Sequence, residues 1–118
     1  GGRSGPNYKS WDIVRVEEML LRNNLSPSIV VDCSHGNSGR DYTKQRDVLE
    51  DIVEQRIAGR TSIRGFMFES NLLEGKQQVV GGISDIEYGR SITDACIGWD
   101  ETESLLRDTA RRLEAVRK

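Results

Sequence analysis

The sequence predicts an α/β fold of βα units around a parallel sheet, and three observations carry that prediction. Three short apolar runs rich in β-branched and aromatic residues, at residues 28–33, 63–68 and 91–93, are bounded by turn formers and read as strands. Segments with apolar residues at helical spacing lie before the first run, between the first and second, and after the third. Each run also breaks into polar turn sequence at an imidazole or an acid, His35, Glu69 or Asp94. In parallel α/β folds the loops leaving the carboxyl ends of the strands converge on one cleft, so this recurrence reads as a metal site assembled from strand ends.

The elements follow in order. Trp11, Val14, Met19, Leu20 and Leu21 recur at roughly helical spacing over residues 10–24, with Ser10 and Asp12 supplying an amino-terminus and Pro27 lying beyond the end. The first strand leads into a Gly/Ser/Asn-rich turn, His35-Gly36-Asn37-Ser38-Gly39. A second helix runs from about Tyr42 to Ala58, with Val48, Leu49, Ile52, Val53 and Ile57 on one stripe and Gly59 as its stop. Past the second strand, residues 70–90 hold four glycines and little periodicity, a length that marks functional or mobile connections. The third strand is short. A last helix opens at Asp100 as N-cap, supported by Glu101 and Glu103, and buries Leu105, Leu106, Thr109, Leu113 and Val116. Arg111, Arg112, Arg117 and Lys118 suit the negative end of its dipole. Strand alternation extends the expectation. With His35 toward the cleft, Val31 and Cys33 share its side; with Glu69 there, Gly65 and Met67 follow, and Phe66 and Phe68 face the helices.

Composition bounds the function. At 118 residues and 36% hydrophobic content the chain supports one small or partial domain, residues 1–118, without internal repeat or linker. A net charge of −2 gives no electrostatic footprint for nucleic acid or acidic lipid. No apolar stretch reaches the roughly 20 residues of a membrane span, and the opening residues lack the apolar core of a secretory signal, so a cytoplasmic location is expected. The two cysteines are read as reduced thiols, Cys33 in the core and Cys96 close to the metal. Trp99 reads as a packing anchor, and Glu74 and Asp85 as solvated loop charges.

Taken singly, each proposed ligand has a plainer reading. A lone histidine at a loop start is more often a hydrogen-bonded structural residue, and Asp94 reads equally well as a turn former. Glu69 is stronger, because a carboxylate ending a buried strand needs a cation, a hydrogen-bond cluster or water. Together, at equivalent places, the three make a mixed N/O donor set suited to Mn²⁺, Fe²⁺, Co²⁺ or Zn²⁺, with open positions for substrate. The glycine-rich turn after His35 could hold an anion on its N–H groups, but it matches neither common phosphate fingerprint and reads first as an ordinary βα turn.

At three stretches the sequence resembles a known family. Val31-Asp32-Cys33-Ser34-His35-Gly36-Asn37-Ser38, Glu69-Ser70-Asn71-Leu72-Leu73-Glu74-Gly75 and Tyr88-Gly89-Arg90-Ser91-Ile92-Thr93-Asp94-Ala95-Cys96-Ile97-Gly98-Trp99 closely resemble the carboxyl-terminal part of type I, feedback-regulated 3-deoxy-D-arabino-heptulosonate-7-phosphate (DAHP) synthase. The likeness extends over the opening Gly1-Gly2 and Pro6-Asn7-Tyr8, and the Ser91–Trp99 stretch favours this family over the related synthase of 3-deoxy-D-manno-octulosonate 8-phosphate. The resemblance implies a (β/α)8 barrel of which this chain supplies about three βα units plus a preceding helix. It implies a homo-oligomeric transferase condensing phosphoenolpyruvate with erythrose 4-phosphate at the entry to aromatic amino-acid biosynthesis. It assigns His35, Glu69 and Asp94 as divalent-metal ligands, with His35 also bordering phosphoenolpyruvate. The family's fourth ligand, a cysteine, and the lysines and arginines that hold both substrate phosphates lie upstream of the matched segment. The expectation is therefore a partial barrel that is catalytically silent alone. Its rivals are a folded piece that self-associates and one chain of a split or nicked enzyme whose partner is the missing amino-terminal barrel portion.

Overall fold

The computed structural model describes residues 1–116 and contains three helices and two strands: α1 (Ser10–Arg22), β1 (Ile29–Asp32), α2 (Gln45–Ile57), β2 (Ile63–Met67) and α3 (Trp99–Val116), with single 3-10 turns at Tyr42–Lys44 and Ile83–Asp85. β1 and β2 are parallel, pairing Val30 with Gly65, Val31 with Phe66 and Asp32 with Met67 after an irregularity between Ile29 and Val30. A parallel pair needs a crossover, and α2 supplies it.

The core lies between one face of this sheet and the helices. Val31, Cys33 and Ile63 meet Val48, Leu49, Ile52 and Val53 of α2, with Leu105 of α3, Ile13 of α1 and Ile97 closing the cluster. Each such aliphatic side chain contributes about 1.5–3 kcal/mol by leaving water. α2 buries the stripe its spacing predicts and ends as predicted at Gly59, whose φ of +102° suits the residue just past a helix. α1 is capped at Asn23, and Asn24 takes a left-handed φ of 58° that asparagine tolerates.

Several sequence expectations are corrected. The third strand at residues 91–93 does not form. Its neighbourhood is held by isolated bridges, Lys76 with Ser91, Gly75 with Cys96 and Ser70 with Ile97, because no second extended segment runs beside it to build a ladder. The phase of β1 is the reverse of that expected, with Val31 and Cys33 buried against α2 and Val30 66% exposed on the opposite face. The chain leaves extended geometry before His35, whose φ is +49°, so period two does not carry from the strand to the imidazole. β2 keeps its expected phase: Phe66 and Phe68 stack 5.5 Å apart and pack on the core, while Met67 is exposed.

The apolar stripe assigned to α1 is mostly exposed. Trp11 (67% exposed), Val14, Met19 and Leu21 face away from the core, which takes Ile13 instead. Lys9, not Ser10, precedes the first turn; the Ser10 hydroxyl accepts from Arg60 at 3.0 Å. α3 starts one residue early, at Trp99, which is 52% exposed and anchors no core. It buries Thr102, Leu105 and Thr109 and leaves Leu106 and Val116 exposed. Arg111 and Arg112 precede its last described turn and pair with Asp108 and Glu54; Arg117 and Lys118 lie outside the described residues.

Candidate metal centre

The β1 strand ends at Asp32, and the next residues wrap into a tight turn held by its carboxylate. Asp32 Oδ1 accepts from the Ser34 N–H at 2.8 Å and the Ser34 hydroxyl at 2.6 Å, while Oδ2 lies 2.8 Å from His35 Nδ1. An ionised carboxylate only accepts, so Nδ1 carries the proton and Nε2 presents its lone pair. Burial pushes the Asp32 carboxyl up, but its bonds to Ser34 and His35 outweigh this and hold it below the usual carboxylate value. His35 is raised, chiefly by the Asp32 hydrogen bond, with burial opposing and the charges of Asp32, Glu69 and Asp94 adding. Its left-handed backbone costs about 1–3 kcal/mol for a non-glycine residue and is fixed by the Arg40 N–H donating to its carbonyl at 2.7 Å. Asn37, buried beneath the turn, donates to the Asp32 carbonyl at 2.7 Å and accepts the Asn7 N–H at 2.8 Å. Gly36 packs closely against the start of the chain, where a Cβ on it would stand 3.0 Å from Gly1 Cα.

Glu69 follows β2 and is clamped through its backbone. The buried Gln45 side chain accepts its N–H at 2.7 Å and donates to its carbonyl at 3.2 Å, and the Ile97 N–H donates to the same carbonyl at 3.1 Å. Asp94 sits on a loop that is pinned on both sides: Gly75 and Cys96 exchange N–H···O bonds of 2.8 and 3.1 Å, and Gln77 N–H donates to Ser91 O at 2.8 Å. The Asp94 side chain itself is 53% exposed.

These three elements bring the sequence-predicted residues together. His35 Nε2 lies 3.5 Å from Glu69 Oε1 and 3.6 Å from Asp94 Oδ2, and one donor atom from each residue lies within 4.8 Å of the others. Donors about 2.0–2.2 Å from a shared ion in tetrahedral array stand about 3.4 Å apart. The two imidazole distances fit a shared ion as they are, and the third lies within 4.8 Å. A cavity of about 150 Å³ opens over the cluster. A larger one, about 580 Å³, lies at the opposite ends of the strands by Pro27 and Ser62, where Glu17 and Arg60 already pair at 2.8 Å. The smaller cavity is the chemically equipped one, at the carboxyl ends of the strands.

Cys33 is wholly buried, and burial together with Asp32 pushes its thiol up to about 12. Cys96 is buried beside the site, its Sγ 3.6 Å from the Asp94 carbonyl; burial raises its thiol, a Ser91 hydrogen bond opposes this, and the charges of Glu69 and Asp94 add to the rise. It lies beside the cluster formed by His35, Glu69 and Asp94. Glu74 and Asp85 are exposed as expected. Sequence reasoning missed Asp32, Ser34 and Gln45. An aspartate three residues before the histidine was a readable signal for the first two; nothing local marks Gln45, which reaches Glu69 across 24 positions.

Residues 1–107 match the model of the DAHP synthetase I family. The Tyr-sensitive phospho-2-dehydro-3-deoxyheptonate aldolase of Enterobacter agglomerans is 43% identical over 115 residues, 98% of this chain and 54% of that protein. The Tyr-sensitive form of Escherichia coli K12 is 46% identical over 107 residues, 91% of this chain and 30% of that one. The solved phospho-2-dehydro-3-deoxyheptonate aldolase of Francisella tularensis SCHU S4 superposes with a TM-score of 0.90 at 37% identity, covering 100% of this chain and 33% of that structure. The chain thus spans between about a third and about half of the length of these relatives. With a matched model over nearly its whole length, the chain belongs to the DAHP synthetase I family.

Proposed function

We propose that residues 1–118 form a carboxyl-terminal partial barrel carrying the metal half-site of a cytoplasmic DAHP synthase. The reaction is condensation of phosphoenolpyruvate with erythrose 4-phosphate, the first step of the shikimate pathway to aromatic amino acids. The observation that carries this reading is the convergence of His35, Glu69 and Asp94 on one point at the strand ends. A divalent ion held there, Mn²⁺, Fe²⁺, Co²⁺ or Zn²⁺, would supply Lewis-acid polarisation of an aldehyde oxygen. The chain's own residues prepare that site. Asp32 keeps the His35 proton on Nδ1 and turns Nε2 inward, Glu69 and Asp94 provide anionic oxygens that match a dication, and Gln45 fixes the Glu69 backbone. His35, which lines the cavity, also borders the phosphoenolpyruvate in this reading.

Titrating Mn²⁺ into the chain tests the site: one equivalent should bind, and His35→Ala should abolish it. Failure of the unaltered chain to bind metal overturns the reading. Turnover should be undetectable for the chain alone, because positioning and charge neutralisation at the phosphates supply most of such a reaction. Phosphoenolpyruvate consumption by the purified 118-residue chain would refute that silence.

A second reading concerns partners. Val30 and Met67 expose the sheet face that a closed barrel turns inward, and Trp11, Met19 and Leu21 expose one side of α1. These faces suit either a separate amino-terminal barrel portion or a second copy of the chain. Sedimentation across a concentration series separates the two, with self-association appearing as growth in size without any added polypeptide. No described helix is long and apolar enough to cross a membrane.

A further inference from the structure

We propose that Asn37 is a positioning residue of the metal centre: its buried amide ties residues 1–7 to the end of β1 and so holds Asp32, and through it the His35 imidazole, in one direction. The proposal rests on the metal reading above and adds what fixes the aim of its histidine. Asn37 is 6% exposed although it lies in a turn of polar residues. Burying a carboxamide is costly unless its donor and acceptor are both used, and here they are used on two different stretches of backbone. Nδ2 donates to the Asp32 carbonyl at 2.7 Å, and Oδ1 accepts from the Asn7 N–H at 2.8 Å, 30 positions away. A carbonyl only accepts and a backbone N–H only donates, so the amide has a single orientation. The Asn37 N–H itself donates to Ser34 O at 3.1 Å, within the turn that carries His35.

The bond to Asp32 comes where the sheet runs out. Asp32 pairs with Met67, and Cys33 N–H donates to Met67 O at 2.7 Å, so in this parallel ladder the carbonyl of Asp32 points away from β2. Among the described residues β1 has no strand on that other edge. Asn37 therefore supplies the donor that a neighbouring strand would. Asp32 is also the residue whose carboxylate bonds His35 Nδ1 at 2.8 Å, and a backbone free to turn there would carry the carboxylate with it.

Residues 1–7 are themselves fixed. Gly2 and Gly5 exchange N–H···O bonds of 2.8 and 3.2 Å, which close the segment on itself. Gly1 packs backbone to backbone on the His35 turn: a Cβ there would stand 2.6 Å from Gly36 C and 2.9 Å from Asn37 N, inside the contact distance of a carbon atom. Just past Asn7 the chain is moored to α2, where Gln55 Nε2 donates to Tyr8 O at 2.9 Å and Lys9 Nζ reaches Asp51 Oδ2 at 2.5 Å. One end of the segment thus lies on the turn and the other on a core helix, and Asn37 joins both to β1.

Two readouts test this together: Mn²⁺ titration of the chain, and the tautomer of the metal-free His35 ring by nitrogen NMR. Asn37→Leu keeps the side chain's bulk and removes both bonds. Mn²⁺ affinity should fall about three- to tenfold, less than the loss for groups bonded directly to a metal-binding histidine, and the ring proton, on Nδ1 in the unaltered chain, should divide between the two nitrogens. Gly1→Val leaves every hydrogen-bonding group in place but lifts the segment off the turn, and should move both readouts the same way by less. The double variant should bind no more weakly than Asn37→Leu alone, because both changes cut one tie. Val53→Ala, in the core on α2, controls for lost stability: its unfolding midpoint should drop with both readouts unchanged. Should Asn37→Leu not fold, Gly1→Val decides on the same readouts. Full Mn²⁺ affinity with the proton still on Nδ1 overturns the positioning role and spares the metal reading. An equal loss of affinity in Val53→Ala overturns it too, since the effect would then be one of general stability. An unaltered chain that binds no Mn²⁺ removes the metal reading and this role with it.

Discussion

The turn carrying His35 and the loop carrying Asp94 bring their side chains to one point by opposite means. In the first, Ser34, Asn37 and Ser38 are buried and the imidazole is bonded through Nδ1 to Asp32 at 2.8 Å. In the second, the backbone is pinned at Ser91, Cys96 and Ile97, yet the carboxylate is half exposed and lies 3.6 Å from His35 Nε2. The imidazole is held in one direction by Asp32, whereas the carboxylate is placed within reach of it and left half exposed. The difference teaches that the site's direction is set by β1 and its turn, and that its final distance is set by a loop.

The largest expected effect tests that division directly. His35→Ala should lower Mn²⁺ affinity by more than about 100-fold, beyond what loss of a supporting residue costs, whereas Asp94→Asn should cost less because a neighbouring oxygen or water can replace an exposed donor. Metal titration of the two variants breaks the comparison if Asp94→Asn is the more damaging.

Next in size is the anchoring of the Asp94 loop. Ile97 is 0% exposed, and its backbone joins Glu69 O at 3.1 Å to Asn71 N at 3.0 Å. Ile97→Ala should destabilise the chain by about 2–5 kcal/mol in urea unfolding. Ile92→Ala, on the same loop but exposed, should stay within about 0.5 kcal/mol. Equal costs would mean that the loop is not held where the bridges place it.

Burial in this loop also explains what the sequence could and could not reveal. The α2 stripe was legible because helical periodicity and a single buried face coincide at Val48, Leu49, Ile52 and Val53. The clustering of His35, Glu69 and Asp94 was legible because an acid or imidazole closing an apolar run is unusual by itself. The segment at residues 91–93 was misread because its composition suits a strand, but a strand also needs a partner ladder, which local sequence does not report. α1 misled in a related way. Its strongest apolar positions, Trp11, Met19 and Leu21, point away from the core of this chain, so amphipathicity named a buried face without naming what buries it.

The clamp on Glu69 gives a third, smaller effect. Gln45→Leu keeps the volume of a side chain 1% exposed but leaves the Glu69 N–H without its acceptor. The cost should be about 1–3 kcal/mol in stability. Metal affinity should fall with it, since the Glu69 backbone is no longer fixed. An unchanged Mn²⁺ titration would show that Glu69, like Asp94, adapts to the ion and is not set in advance.

The finest test falls on Asp32, whose effect is direction more than strength. Asp32→Asn should reduce Mn²⁺ affinity by about 10–100-fold, the range for a residue that orients a metal-bound histidine. His35 is the sole histidine of the chain, so long-range ¹H–¹⁵N correlation reads its tautomer without ambiguity. The unaltered metal-free chain should show the proton on Nδ1, and Asp32→Asn should show a mixture. The pH dependence follows from the raised pKa of His35, whose largest cause is the Asp32 bond. A group raised above its unfolded value contributes stability that is fully present below that value, near 6.5, and lost as pH climbs through the higher folded value. Metal binding runs the other way, because the ion needs the neutral imidazole, so affinity should grow over the same interval. In Asp32→Asn that interval should move down toward 6.5, since the largest raising cause is gone and the charges of Glu69 and Asp94 act more weakly. A midpoint that stays where it was would place the orientation of His35 in the backbone turn alone, and the contrast between an aimed ligand and a free one would then rest on φ and not on Asp32.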